Sequence, residues 1–455
     1  MKRLLVLDVV GLTPRLLPHM PGLREVGQEG FTARLETILP AVTCSVQSTL
    51  LTGEPPATHG VVGNGWYFRD LGEVMLWRQH NRLVGGEKIW ETARRLHPGY
   101  TVANICWWYA MGAATDWTVT PRPVYRADGR KDPDCYTRPP SLHDELTAML
   151  GAFPLFQYWG PTAGIASSRW ITGAARHVEA AHHPDLSLVY VPHLDYDLQR
   201  HDPHGPQAIK AAAVLDEVLR PLLDEARAAG VTVVALSEYG ITPVQRPVHI
   251  NRALRRAGLL EVFTQAGMEY LDPWASRAFA VADHQIAHVY IADPADTDRV
   301  CGVLASIGGV ADVLGPVGKK EHGLDHPRSG DLVAVAAPEA WFTYCHWLDD
   351  VRAPDFARTV DIHRKPGYDP AELHFDHTRR LVRLRAAAAL ARRRIGLRAT
   401  LNVVSLDPSR VRGSHGRLPS DQHDAPVFVC SDQSAATAVI AAADVKALLL
   451  RLAGL

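Results

Sequence analysis

The chain has 455 residues, 47% of them hydrophobic and 21% charged, with a formal net charge of −1. That is enough chain for a large core, and the near-neutral balance gives no reason to expect nucleic acid or an anionic membrane as the main partner. Six scattered cysteines without a CxxC pair argue against a disulfide framework and a structural zinc site, and make the cytoplasm the expected compartment.

No stretch approaches the ~20 apolar residues of a membrane span. The first apolar run, Arg3 to Leu7, ends at Asp8, too early for a signal peptide. Thr43 to Gly53 reads as a short helix, with Pro40 before it, Thr43 at its start and Gly53 closing it. Leu188 to Val191 and Val231 to Leu236 read as buried strands, and Gln207 to Gly230 as the amphipathic helix between them. Pro426 to Cys430 is a further strand, and Ala435 to Leu455 a terminal helix. This alternation predicts an α/β fold of one domain over 1–455: a mostly parallel central sheet with helices on both faces.

Three regions read as insertions. Residues 66–170 carry eight of the eleven tryptophans, either as a second small core or as an aromatic wall over the site. Residues 244–331 form a cap-like insertion with a helix (His249 to Leu260) and a strand (Ile286 to Ile291). Residues 337–410 end in a basic helix, Arg379 to Arg398, whose arginines read as a solvated face.

Acidic residues follow three of the strands: Asp8, Asp195 and Glu238. If those strands are parallel, all three acids lie at the carboxyl edge, where open α/β sheets bind ligands. Carboxylates brought together without partners are costly to desolvate, so they ask for a divalent cation. Thr43 at a helix start could share that ion and act as a nucleophile. Asn64, in the turn-rich stretch Thr58 to Asn64, is positioned to offer an amide donor to a transition-state oxygen. Each of these residues alone is more often an ordinary cap or turn.

Together these segments resemble the alkaline phosphatase superfamily, and more closely its nucleotide pyrophosphatase/phosphodiesterase branch. The resemblance rests on Asp8, Pro40-Ala41-Val42-Thr43, Thr58 to Asn64, Pro192 to Tyr196, Ser237 to Gly240 and Gly413 to Gly416. It implies an alkaline phosphatase-like fold, Thr43 as nucleophile, Asn64 as a phosphoryl-oxygen ligand, and two metal ions. Asp8 and Thr43 match the first metal site, Asp195 and His415 the second. Three positions depart from the pattern: an Asp-His pair is Glu238-Tyr239 here, and the histidine four residues after Asp195 is Gln199. Either His201 fills that gap, the reading we favour from sequence, or Gln199 does, or one metal is lost.

The oxygen-rich set shifts the expected ion from zinc, implied by the resemblance, towards manganese, magnesium or calcium. Asp283-His284-Gln285 with His288, and Asp361-Ile362-His363, are further groups with ligand chemistry but no assigned role. Arg328 is a candidate to face phosphate. The expected function is a metal-dependent phosphodiesterase or pyrophosphatase acting on a small phosphoryl substrate through a phospho-threonine intermediate, with a homo-oligomer allowed for. The alternatives are a phosphonate hydrolase on the same fold and a degenerate-site binding or scaffold protein.

Overall fold

Parallel pairing of the first strand decides the architecture. Leu4–Val9 lies between Leu186–Val191 and Thr232–Leu236, parallel to both, with Asp8 opposite Tyr190 on one side and Leu236 on the other. All three strands are buried throughout, which is why they read as continuous apolar runs. The structure, a computed structural model, describes residues 1–394 and 396–455, without the side chains at 393 and 394.

Nine strands form the central sheet, in the order Val439–Ala441, Phe31–Glu36, Val427–Cys430, Thr232–Leu236, Leu4–Val9, Leu186–Val191, Val102–Ile105, Trp117–Pro121 and Cys135–Arg138. Only Val427–Cys430 and Cys135–Arg138 run against their neighbours. The helix expected from Gln207 spans Pro206–Ala228, with Gly230 in the left-handed region just beyond it. The helix at Thr43 spans Thr43–Thr52 and closes on Gly53 at φ 74.

Three expectations need correction. Residues 66–170 are not wholly an insertion, because they supply three strands of the central sheet. Their alternation was obscured by the Trp-rich loops between them. The C-terminal segment is not one helix from Ala435: Val439–Ala441 pairs parallel with Phe31–Glu36, and the helix is Val445–Ala453. Two consecutive β-branched residues, Val439 and Ile440, find a sheet edge there. The basic helix spans Val382–Arg394, and Ile395, inside the expected range, lies outside the described residues.

Within the cap, Ala278–Asp283 and Ile286–Ile291 form a hairpin that continues into Leu332–Ala336 and Val310–Leu314 as a four-stranded sheet. Its helix is shorter than expected, Ile250–Arg256. The hairpin turn is only His284-Gln285, and its Gln285 N–H donates to the His415 carbonyl (2.9 Å). That bond pins the cap to the C-terminal loop. Arg328 does not face the sheet edge: it donates to the carbonyls of Gly60 (2.9 Å) and Leu83 (2.6 Å) and lies over Trp66, so it fastens the cap to the core.

Directly after Glu238-Tyr239, Gly240 leaves no room for a side chain: a Cβ there would lie 1.8 Å from the Asp424 carbonyl oxygen. Gly240→Ala should therefore destabilise the fold by about 1–3 kcal/mol, the usual cost of overpacking. The effect is readable as a lowered denaturant midpoint at unchanged m-value.

Candidate metal centre and active site

Two carboxylates face each other beneath the sheet edge. Asp8 and Glu238 are both fully buried. Asp8 Oδ2 accepts from Gln47 Nε2 (2.8 Å), while Asp8 Oδ1 and both Glu238 oxygens have no hydrogen-bond partner. Burial pushes the Asp8 carboxyl up to about 7. Burial, and then Asp8 beside it, pushes Glu238 well above the ordinary carboxylate range. Without a cation, burial favours the protonated form of both acids.

Thr43 is the first residue of its helix, entered from an extended Val42 (φ −132, ψ 151). Its Oγ1 lies 3.0 Å from the Tyr239 hydroxyl, which donates to Asp195 Oδ1 (3.4 Å). With the phenolic hydrogen directed at Asp195, Thr43 is the donor into Tyr239. Burial keeps Tyr239 a neutral phenol, well above its usual pKa. The side chain that replaces a histidine of the family pattern thus links the nucleophile candidate to the second acid. It is stacked on His415 at 3.6 Å.

Asp195 stands in the first turn of the helix His193–Arg200. Gln199, one turn on, donates its Nε2 to Asp195 Oδ2 (2.9 Å). His201 does not join them: it is exposed at the helix end. The reason is helical phase, since six residues at ~100° each put a side chain on another face, whereas four return it to the same one. His415 Nε2 comes to 3.8 Å from Asp195 Oδ1, and its Nδ1 donates to the Ala41 carbonyl (2.8 Å). Burial holds His415 well below its ordinary pKa. Two acceptors therefore face each other at 3.8 Å with no hydrogen between them.

Asn64 is held rather than free. It is buried and is not among the residues with positive φ. Its Oδ1 accepts from Cys44 N (3.0 Å), and its N and Nδ2 donate to Asp283 Oδ2 (2.9 Å) and Oδ1 (3.1 Å). One amide hydrogen remains for a ligand. His284 is also part of this cluster, although sequence reading gave it no role: its ring lies 3.7 Å from His415 and 4.0 Å from Tyr368. His288 and His363 are engaged elsewhere, with the carbonyls of Val62 (2.8 Å) and Leu76 (3.3 Å).

The donor set fits divalent metal. Asp8 Oδ1 and both Glu238 oxygens are buried acceptors without partners, and a hard cation between the two acids would satisfy them. Among the described residues, the one trio of His, Cys, Asp or Glu ligand atoms mutually within 4.8 Å lies elsewhere, at Asp134, Cys135 and His143. There His143 Nε2 and Asp134 Oδ1 already satisfy each other at 2.7 Å, and burial raises the Cys135 thiol to about 12. That trio carries no weight against the sheet-edge cluster, where three buried carboxylate oxygens lack any partner.

A cavity of about 1760 Å³ is lined by Trp77 and Trp108 but by none of the acids, Thr43 or His415. Trp77, Trp108 and Trp159 form one wall, with ring centroids 5.0 to 6.4 Å apart. The wall connects to the site through the backbone: Trp108 N donates to Gln47 Oε1 and Trp77 N to the Asn64 carbonyl, both at 2.8 Å. Arg383, Ala387 and Leu390 of the basic helix also line it, so that helix is not purely a solvated face.

The family model for type I phosphodiesterase/nucleotide pyrophosphatase matches residues 4–369. The chain belongs to that family. It is accordingly an enzyme of the phosphoric ester hydrolase class, and this family is typically dependent on divalent metal. No curated protein matches the sequence. Among solved structures it is similar to phosphonoacetate hydrolase from Sinorhizobium meliloti 1021 in complex with phosphonoformate. There the identity is 17%, the TM-score 0.62, and 99% of this chain and 96% of that one are covered. It is also similar to murine ectonucleotide pyrophosphatase/phosphodiesterase 5, an inactive variant in complex with AMP. That match has 14% identity, a TM-score of 0.59, and covers 100% and 96% of the two chains. The human counterpart matches at 14% identity and a TM-score of 0.57, with 100% and 95% covered. At these identities the likeness establishes the fold. Among the described residues, no helix of this family member is long and apolar enough to cross a membrane.

The buried acid pair makes stability depend on pH. A carboxyl with a pKa raised to about 7 in the fold, against an ordinary value of 3.8, binds more protons folded than unfolded between those limits. The metal-free protein should therefore lose stability as pH rises from about 4 to 7. Thermal melts of chelator-treated protein should show this slope, and Asp8→Asn should flatten it.

Proposed function

We propose that this chain is a divalent-metal-dependent phosphodiesterase of the pyrophosphatase type, with Thr43 as the nucleophile. One observation carries the reading. The Thr43 hydroxyl, at a helix start, lies beside Glu238, whose two oxygens with Asp8 Oδ1 lack partners, and is joined through Tyr239 to Asp195. A degenerate scaffold has no use for so many buried acceptors without donors, each of which costs on the order of 1–3 kcal/mol if left unsatisfied.

Asp8, Glu238 and the Thr43 hydroxyl would hold one ion, and Asp195 with His415 a second; such ions lower the pKa of a bound hydroxyl and neutralise phosphoryl charge. The first set is all oxygen, which suits manganese, magnesium or calcium, and the second includes nitrogen, which suits zinc. The chain's own groups do the positioning. Tyr239 fixes the direction of the Thr43 hydroxyl through their 3.0 Å hydrogen bond. Thr43 Oγ1 forms the bond to phosphorus as the bond to the leaving oxygen breaks, giving a phospho-threonine that water then hydrolyses. The remaining amide hydrogen of Asn64, held by Asp283, donates to an equatorial oxygen as charge develops there. The tryptophan wall, tied through its backbone to Gln47 and Asn64, takes the leaving group.

Phosphonates are a second substrate class for the same machinery. The reading is supported by the fold shared with phosphonoacetate hydrolase over nearly the whole chain. A panel of chromogenic phosphodiesters, monoesters and phosphonates, each with added manganese or zinc, would rank the classes.

Thr43→Ala should lower turnover by at least ~10³-fold, since covalent catalysis has no substitute there, while the metal content stays near wild type. Normal turnover in that variant would rule Thr43 out as the nucleophile. Trp159→Ala should raise KM for aryl or long-chain phosphodiesters about tenfold at unchanged kcat. A methyl phosphodiester, too small to reach the wall, should be unaffected.

A further inference from the structure

The Asp195 side of the site lacks a nitrogen ligand at position 199, and the structure brings one from an unrelated part of the chain. We propose that His284, carried by the cap hairpin, is a protein ligand of the second metal ion together with Asp195 and His415. The inference rests on the metal-dependent reading above, for which this chain's residues otherwise supply only two ligands on that side.

Four observations converge on His284. Its ring is buried, and its Nε2 has no hydrogen-bond partner. Its Nδ1 lies 2.9 Å from Asp283 Oδ1, a carboxylate that can only accept, so the proton sits on Nδ1 and Nε2 presents a lone pair. A carboxylate behind one ring nitrogen, fixing the tautomer and leaving the other nitrogen free, is the usual second shell of a metal-bound histidine. His415 repeats the pattern, with Nδ1 held by the Ala41 carbonyl and Nε2 turned to Asp195. The two rings lie 3.7 Å apart at a 35° tilt.

Backbone geometry points the same way. His284 adopts φ 58, in the left-handed region, at a two-residue turn where glycine or asparagine is the relaxed choice. An imidazole kept in that conformation and sealed between Tyr368 and His415 is more than a turn residue. Gln199, by contrast, uses its amide nitrogen to orient Asp195. Asp195, His284 and His415 do not form a trio with all donor atoms within 4.8 Å, so closing on an ion draws His284 inward by a side-chain rotation. With two imidazoles and one carboxylate, the set is of zinc type.

The test counts nitrogens and ions rather than turnovers. Full-length protein is stripped with chelator and titrated with zinc by calorimetry, then loaded with copper(II) for electron paramagnetic resonance. Wild type should bind two ions, with hyperfine coupling from two imidazole nitrogens at one of them. His284→Asn, chosen because asparagine tolerates the left-handed turn, should retain the fold by circular dichroism. It should lose at least tenfold in affinity for one ion and one of the two nitrogen couplings. Gln199→Ala should keep both nitrogens. An unchanged nitrogen count and affinity in folded His284→Asn would overturn the proposal, as would loss of a coupling in Gln199→Ala alone or only one ion in wild type. A chain that binds both ions through His284 yet cleaves no phosphoryl ester would overturn the proposed function and leave this ligand standing.

Discussion

Charge without compensation organises this molecule. Asp8 and Glu238 are brought together by parallel pairing that also builds the core, so the sheet cannot form without burying both. A single buried carboxylate can lose its charge by taking a proton, but two side by side make a receptor for positive charge. Gln47 satisfies only one of their four oxygens. The fold thus carries at its centre a demand that it does not itself meet.

Around that demand, the substituted positions become intelligible. Tyrosine at 239 cannot replace histidine as a neutral nitrogen donor, and it does not try to: it stays protonated and spans from Thr43 to Asp195. Gln199 steadies Asp195. A histidine from the cap hairpin stands against His415, and Asp283 behind it also grips Asn64 with both carboxylate oxygens. One acid therefore couples the Asn64 amide to the imidazole of His284.

How much of this was legible depended on whether a residue's place followed from local periodicity. Asp8, Asp195 and Glu238 could be placed because each follows an apolar run whose end is visible, and Thr43 because Gly53 marks the far end of its helix. His201 was favoured over Gln199 because a loop was expected after Asp195; the helix runs on to Arg200, and its phase turns Gln199, not His201, to Asp195. His284 was beyond reach for another reason. Its neighbours, His415 and Tyr368, lie 131 and 84 residues away, and only tertiary pairing of a two-residue turn with the C-terminal loop joins them. The strands within 66–170 were hidden because tryptophan-rich loops carry the same apolar signal as the sheet they interrupt.

The bridge between Ala41 and Gly416 closes the ring of donors with one of the last loops to be made. During synthesis the threonine helix and the first acid exist for nearly four hundred residues before their partner emerges. Contacts of such sequence separation form late and slowly. The nascent chain consequently lacks His415 at the candidate site until more than four hundred residues have been made. The same stretch that carries His415 goes on to Val427–Cys430, the strand that joins Phe31–Glu36 to Thr232–Leu236, so site and sheet are completed together.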